Sequence, residues 1–161
     1  MRYGLLGAFV MFAGFHAVPQ QPAGTVALSD SDRRDAVEAF EGYNQALIDS
    51  DYSKLAAEYI HVPFVIVDDN PRVIESIETV VAGLRSTRQA LETAGYATTK
   101  LGPPQISVLQ VGRLLLNSRV THVKKDGAPL AERANFYLMV KDGRRWKVGG
   151  IILQDPLYFG K

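Results

Sequence analysis

The stretch from Ala36 to Asp69 constrains the fold more than any other part of the chain. It orders an amphipathic helix, an Asp49-Ser50-Asp51 break, a short second helix and an apolar strand that stops on Asp68-Asp69. Ser29, Asp30, Ser31 and Asp32 offer N-cap candidates and negative charge, so helix one opens near Asp32. A side-chain oxygen there satisfies free N–H groups, and carboxylates favour the positive end of the helix dipole. Val37, Phe40, Asn44, Leu47 and Ile48 recur at helical spacing and form one stripe, with Asn44 its polar exception. Asp51 caps a second helix from Tyr52 to about Ile60, on which Leu55 and Tyr59 share a face. Pro63 ends it, because proline disfavours helical geometry in the residue before it. The β-branched and aromatic run Phe64-Val65-Ile66-Val67 reads as a strand that delivers Asp68 and Asp69 to a rim.

Beyond Asn70-Pro71, Ser76 caps a third helix with Ile77, Val81, Leu84 and Leu91 on one side, and Gly95 terminates it just past its last turn. From Ala97 the period shortens to that of strands. Four runs follow, about Gln105 to Val111, Leu114 to Lys124, Arg133 to Lys141 and Trp146 to Gln154. Gly112, Asp126-Gly127 and Asp142-Gly143 separate them, and Asp-Gly between strand-like runs is a strong hairpin signal. Helices first and hairpins last predict an α+β domain: three N-terminal helices packed on a strongly curved, mostly antiparallel sheet that closes into a cone with one open end.

The 161 residues, 47% hydrophobic and 22% charged, suffice for one globular domain with a sizeable core. Residues 1–27 carry a single charge, Arg2, then an apolar run from Leu5 to Phe15 and a Pro/Gln/Gly-containing spacer to Gly24. A basic start, a short apolar segment and small residues after it are the layout of a secretory signal. The run is about half of the roughly 20 apolar residues that a membrane span needs. The expectation is a leader and spacer over 1–27 and a domain over 28–161, exported to a periplasm or secreted, with no stable membrane insertion after cleavage. Of the 18 basic residues, losing Arg2 leaves 17 against 17 acidic ones. A neutral domain lacks the positive field on which nucleic-acid and anionic-membrane binding depend. The chain has no cysteine, which excludes disulfides, thiolate metal sites and a thiol nucleophile. No His-x-x-x-His, His-x-His or Glu-x-x-His pair suggests a metal, and phosphate-loop, dinucleotide and nucleophile-elbow patterns are absent, so no cofactor is implied.

The helix carrying Ala36-Val37 and Phe40, the Leu47-Ile48-Asp49-Ser50-Asp51 break, Leu55 with Tyr59, the strand ending at Asp68 and the late Trp146-Lys147-Val148 together resemble the nuclear transport factor 2-like superfamily, from about Asp32 to Leu153. The resemblance implies a cone fold with an internal pocket. Its members include ketosteroid isomerases, polyketide cyclases, dehydratases, epoxide hydrolases and domains that only bind or scaffold, so it does not select a function. In the ketosteroid isomerases a carboxylate just after the second helix abstracts a proton next to a carbonyl. A tyrosine on helix one and a protonated acid on a late strand hydrogen-bond the developing oxyanion. Counted forward from Asp51, Asp68 takes the base position, Asn44 fills the tyrosine's, and Asn135 lies near the acid's. Tyr43 is one residue from the tyrosine position, turned about 100° around the helix. An amide can donate to an oxyanion, but neither asparagine supplies an acidic proton, so the pattern departs from the isomerases at two of the three roles.

Each candidate residue has two roles open to it. Asp68 is either a general base raised by an apolar cavity or a turn residue in Asp68-Asp69-Asn70-Pro71. Asn44 either bonds its own backbone at the stripe's edge, as buried amides usually do, or lines the pocket. His61 is a proton shuttle at the cavity or a capping or packing side chain. Arg133, Asn135 and Tyr137 share one strand face, with Phe136 and Leu138 on the other. Facing the cone, with Arg119, Tyr43, Asn44 and Tyr59, they would form a polar patch for a ligand's oxygen atoms. Facing outward, they would form a solvent or sheet-to-sheet dimer surface with cross-strand pairs such as Arg119 and Glu132. The expected function is binding of a small, largely apolar molecule. A cofactor-free isomerase, cyclase or dehydratase using Asp68 as base, assisted by Asn44 and His61, is the second reading, and an interaction module whose sheet face makes a homodimer or docks a partner the third.

Overall fold

The computed structural model describes residues 28–154; the expected leader over 1–27 and the aromatic pair Tyr158-Phe159 lie outside the described residues. Helix α1 spans Asp30–Ile48, and its N-cap is Ser29, whose Oγ accepts the Asp32 N–H at 3.1 Å. The chain turns at Ser50, which adopts a left-handed φ of 57°. Asp51 then caps α2, Tyr52–Lys54, by accepting the Lys54 N–H at 2.9 Å. That helix widens into a π-helical turn over Leu55–Tyr59.

Pro63 does not end this helix. Strand β1 already begins at Ile60 and runs to Val67, with Pro63 exposed inside it. Proline has no N–H for a ladder, and the pairing of β1 with its neighbour shifts register between Ile60 and Val65, across the proline. Strand β2, Arg72–Ile74, pairs back on β1. Helix α3, Ile77–Thr93, is capped by Ser76 through the Thr79 N–H at 3.2 Å and stops before Gly95, whose φ of 93° suits glycine.

Five more strands complete the sheet: β3 Tyr96–Leu101, β4 Gln105–Gln110, β5 Arg113–Lys124, β6 Pro129–Asp142 and β7 Arg145–Gln154. The seven strands run in the order β2-β1-β7-β6-β5-β3, with β4 also on β5. All pairs are antiparallel except β1 with β7. The last four strands are the predicted hairpin series, whereas β2 and β3 had no strand assigned. Gly150 permits the parallel pair: a Cβ there would lie 2.6 Å from the Val65 carbonyl oxygen of β1.

The helices cover the concave face of this sheet. Ala36, Phe40 and Tyr43 of α1 pack with Leu55, Ile60 and Phe64 against Leu114, Leu116, Val120, Tyr137, Met139, Trp146 and Val148. Each large apolar side chain in this layer is worth roughly 1.5–3 kcal/mol of transfer free energy. An ion pair between Lys141 and Asp32 ties the start of α1 to the end of β6, beside the Trp146 ring. The result is the α+β cone anticipated from the element order.

Candidate functional site

Strand alternation decides which polar groups enter the cone. On β5, Leu114, Leu116, Ser118 and Val120 are buried. Their partners across the ladder are Met139, Tyr137, Asn135 and Arg133; the first three are buried on the helix side, and Arg133 shares their strand face but is exposed. Arg119, Phe136 and Leu138 belong to the opposite face. Arg119 therefore does not join Asn135 and Tyr137 as the polar-patch reading had it; it forms an ion pair with Glu132 at 2.6 Å on the outer surface.

Tyr43 reaches the same interior from α1. The stripe that α1 buries is Ala36, Phe40 and Tyr43, with Asn44 and Ala46 beside it, rather than one centred on Val37 and Asn44. Tyr137 meets Phe40 edge-on at 4.9 Å and Tyr43 at 6.1 Å. Asn135 Nδ2 donates to the Tyr137 hydroxyl over a long 3.4 Å. The Tyr43 hydroxyl and Asn135 Oδ1 are buried with no hydrogen-bond partner among the described residues. Burial raises the Tyr43 pKa far above the usual phenol range, and the neighbouring Tyr137 adds to it. Burial pushes Tyr137 up to about 12, against a small lowering by Asn135. Both phenols are therefore neutral hydroxyls at physiological pH, able to donate and to accept.

The remaining candidates lie elsewhere. Asn44 donates its side-chain amide to the Phe40 carbonyl at 2.8 Å, the backbone-bonded role. Asp68 sits in the β1–β2 turn, where its carboxylate accepts Arg72 Nη1 at 2.9 Å and the Asn70 N–H at 2.9 Å. These contacts, Arg72 first, hold its pKa below the ordinary carboxylate value, the reverse of what a base poised near neutrality needs. The turn role describes Asp68, and the general-base geometry is not formed. His61 falls beside Gly149 and Val140 on the outer side of the sheet: a Cβ on Gly149 would stand 3.7 Å from its ring and 2.7 Å from Val140. Asp68, Asn44 and His61 thus do not converge. Tyr59 crosses α1 at Gly42, where a Cβ would come 2.6 Å from the tyrosine Cζ.

Two features had no forewarning in the sequence. A groove of about 580 Å³ lies between α1 and β3, lined by Glu38, Glu41, Gly42, Gln45, Ile48, Thr99 and Leu101. Next to it, Tyr96 and Thr99 hydroxyls lie 2.8 Å apart and Thr99 Oγ1 is 3.1 Å from His122 Nδ1. His122 is half-buried, edge-on to Tyr96 at 5.5 Å. Only the cross-strand register of Thr99 with His122 reveals the pair, and β3 had not been assigned. Among the described residues, no three His, Asp or Glu side chains gather as a metal ion would require.

Residues 32–156 match the family model described as NTF2-like protein (DUF6841). A protein of unknown function with a cystatin-like fold from Nostoc punctiforme superposes with a TM-score of 0.64 at 14% identity, covering 80% of this chain and 95% of that one. An NTF-2 like protein of unknown function from Shewanella oneidensis gives 0.60 at 14%, covering 76% and 98%. An NTF2-like protein with a cystatin-like fold from Novosphingobium aromaticivorans gives 0.62 at 16%, covering 78% and 84%. At such identities the likeness is one of fold alone. No curated protein matches the chain.

Proposed function

The chain belongs to the NTF2-like family DUF6841, and from that membership together with its interior chemistry we infer that it binds a small, neutral, largely apolar molecule inside the cone. The observation that carries this reading is the pair of buried polar atoms, the Tyr43 hydroxyl and Asn135 Oδ1, left without partners among the described residues. A buried polar group with no hydrogen bond costs about 1–3 kcal/mol, so a ligand that supplies one donor and one acceptor gains by satisfying both. The packed core to which both residues' elements contribute, with Phe40 edge-on to Tyr137, favours an apolar frame. A charged ligand is disfavoured, because both phenols stay neutral and burying a lone charge is costly.

The engagement of the Asp68 carboxylate by Arg72 and Asn70 weighs against its use as the base of an isomerase or dehydratase. Binding without an assigned reaction is therefore the reading we adopt, with export over residues 1–27 as part of the same proposal. A second reading, a homodimer through the outer sheet face, draws on the half-buried Leu115, Phe136 and Leu138 there and on Asn117 Oδ1, which is buried without a partner among the described residues. Sedimentation at micromolar concentration separates monomer from dimer.

The binding proposal is tested by solvent extraction and mass spectrometry of the purified protein, alongside the double variant Tyr43→Phe, Asn135→Leu. A small neutral compound enriched on the parent and lost from the variant supports it. Equal recovery from both overturns the assignment of these two residues.

A further inference from the structure

The groove between α1 and β3 is separate from the interior polar pair, and its polar inventory is one-sided. Glu38 and Glu41 line it, and neither makes a hydrogen bond or ion pair among the described residues. Gln45 directs its Nε2 at Asp49, at 3.0 and 3.1 Å to the two carboxylate oxygens, and its carbonyl oxygen makes no hydrogen bond among the described residues. Thr99 has one proton. With His122 neutral and Nδ1 unprotonated, that proton goes to Nδ1 while the Tyr96 hydroxyl donates to Thr99 Oγ1. The remaining lone pair of Thr99 is then an acceptor. Ile48 and Leu101 supply apolar wall on either side. A volume of about 580 Å³ falls within the range of small-molecule sites.

We propose that this groove binds a primary ammonium ion with a short apolar body, its charge held by Glu38 and Glu41, its N–H groups by Gln45 and Thr99, and its hydrocarbon by Ile48 and Leu101. Charge complementarity selects the occupant: the two charged side chains lining the groove are both carboxylates, so an ammonium finds partners and a carboxylate finds repulsion. The Tyr96–Thr99–His122 chain makes the site sensitive to protons. A protonated His122 donates from Nδ1 to Thr99, turns the Thr99 proton toward Tyr96, and places a positive charge beside the groove that repels an ammonium ion. The charged groups acting on His122 are Arg133 of β6 and Arg88 of α3; both oppose its protonation, as does its burial. Arg88 also stacks on Tyr96 at 4.4 Å and donates to the Leu47 and Ile48 carbonyls at the end of α1.

The probe is n-hexylammonium, with hexanoate as its charge-reversed control, titrated into the full chain at low salt and followed by the backbone amide signals of Gly42, Ile48 and Leu101. Saturable shifts with the ammonium and none with hexanoate are expected, with affinity at least about fivefold weaker in Glu38→Gln, Glu41→Gln, since exposed charge pairs are individually modest. Both glutamates are exposed, so that variant tests binding and not folding. Affinity also declines as pH falls through the His122 titration, and His122→Gln, which still accepts from Thr99, flattens that decline. No shifts with the ammonium, equal binding of hexanoate, or unchanged affinity in the glutamine variant overturns the site. A pH decline that persists in His122→Gln overturns the relay.

Discussion

The rings of Tyr43 and Tyr137 meet edge-on inside the cone with centroids 6.1 Å apart, bringing helix α1 and strand β6 together. Asn135, two residues before Tyr137 and on the same strand face, adds an amide. Three neutral hydrogen-bonding groups are thereby enclosed by apolar side chains, and two of their atoms lack partners among the described residues. Placement by two different elements makes this arrangement sensitive to single substitutions.

Tyr43→Phe removes a buried hydroxyl that has no partner among the described residues while keeping the ring and its contacts. The ligand-free protein is expected to gain about 1 kcal/mol of stability, because the desolvation cost of an unpaired group disappears. Denaturant unfolding of parent and variant reads this directly. A loss of stability of similar size would mean that the hydroxyl is satisfied in solution.

Asp68→Asn is expected to leave ligand binding unchanged, since Asp68 bonds Arg72 and Asn70 rather than the interior. Its effect should appear as faster amide exchange at Asn70 and a looser β1–β2 turn. A tenfold fall in affinity for any interior ligand would return Asp68 to the binding machinery.

Stability should fall in two stages on acidification. His122 has a folded-state pKa below its ordinary 6.5, because burial, then Arg133 and Arg88, penalise its charged form. Above 6.5 both states hold it neutral; as pH falls from there toward the lower folded value, the unfolded chain takes up the proton first and stability declines. Asp32, Asp68 and Asp142 are held below 3.8 chiefly by Lys141, Arg72 and Lys147. Their contribution is present above 3.8 and lost as pH falls through their lower folded values. Unfolding curves from pH 8 down to about pH 2 check this, and His122→Gln should abolish the first stage and keep the second.

Gly150→Ala should cost more than Gly149→Ala. A Cβ at Gly150 meets backbone, the Val65 oxygen at 2.6 Å, whereas one at Gly149 meets the end of a side chain, Val140 Cγ2 at 2.7 Å. Overpacking against a fixed strand typically costs about 1–3 kcal/mol, and a side chain that can rotate away reduces the cost. Thermal melts of the two variants rank them; the reverse order would contradict the β1–β7 pairing.

The fold was largely legible because its signals are local. Ser29, Asp51 and Ser76 cap helices as their side chains suggest, and the glycine-containing turns delimit the late strands. The face of α1 was harder to read: Ala36, Phe40 and Tyr43 satisfy the helical period as well as Val37, Phe40 and Asn44 do, and only packing against β6 distinguishes them. Pro63 misled because its rule constrains the preceding residue's backbone and not the element type, and β1 accommodates it by a register shift. Asn135 and Tyr137 were legible as one face, while the side of the sheet they occupy followed only from the pairing with Ser118 and Leu116. The Thr99–His122 contact depends on a register across 23 residues, which no short-range pattern encodes.

The most direct test compares phenol with benzene as ligands for the parent and for Tyr43→Phe, Asn135→Leu, by calorimetry on the full chain. The interior site predicts that the parent prefers phenol by about fivefold to tenfold, the worth of roughly one net hydrogen bond, and that the variant loses this preference while still admitting benzene. A phenol preference of the same size in both proteins, or no preference in the parent, would contradict it.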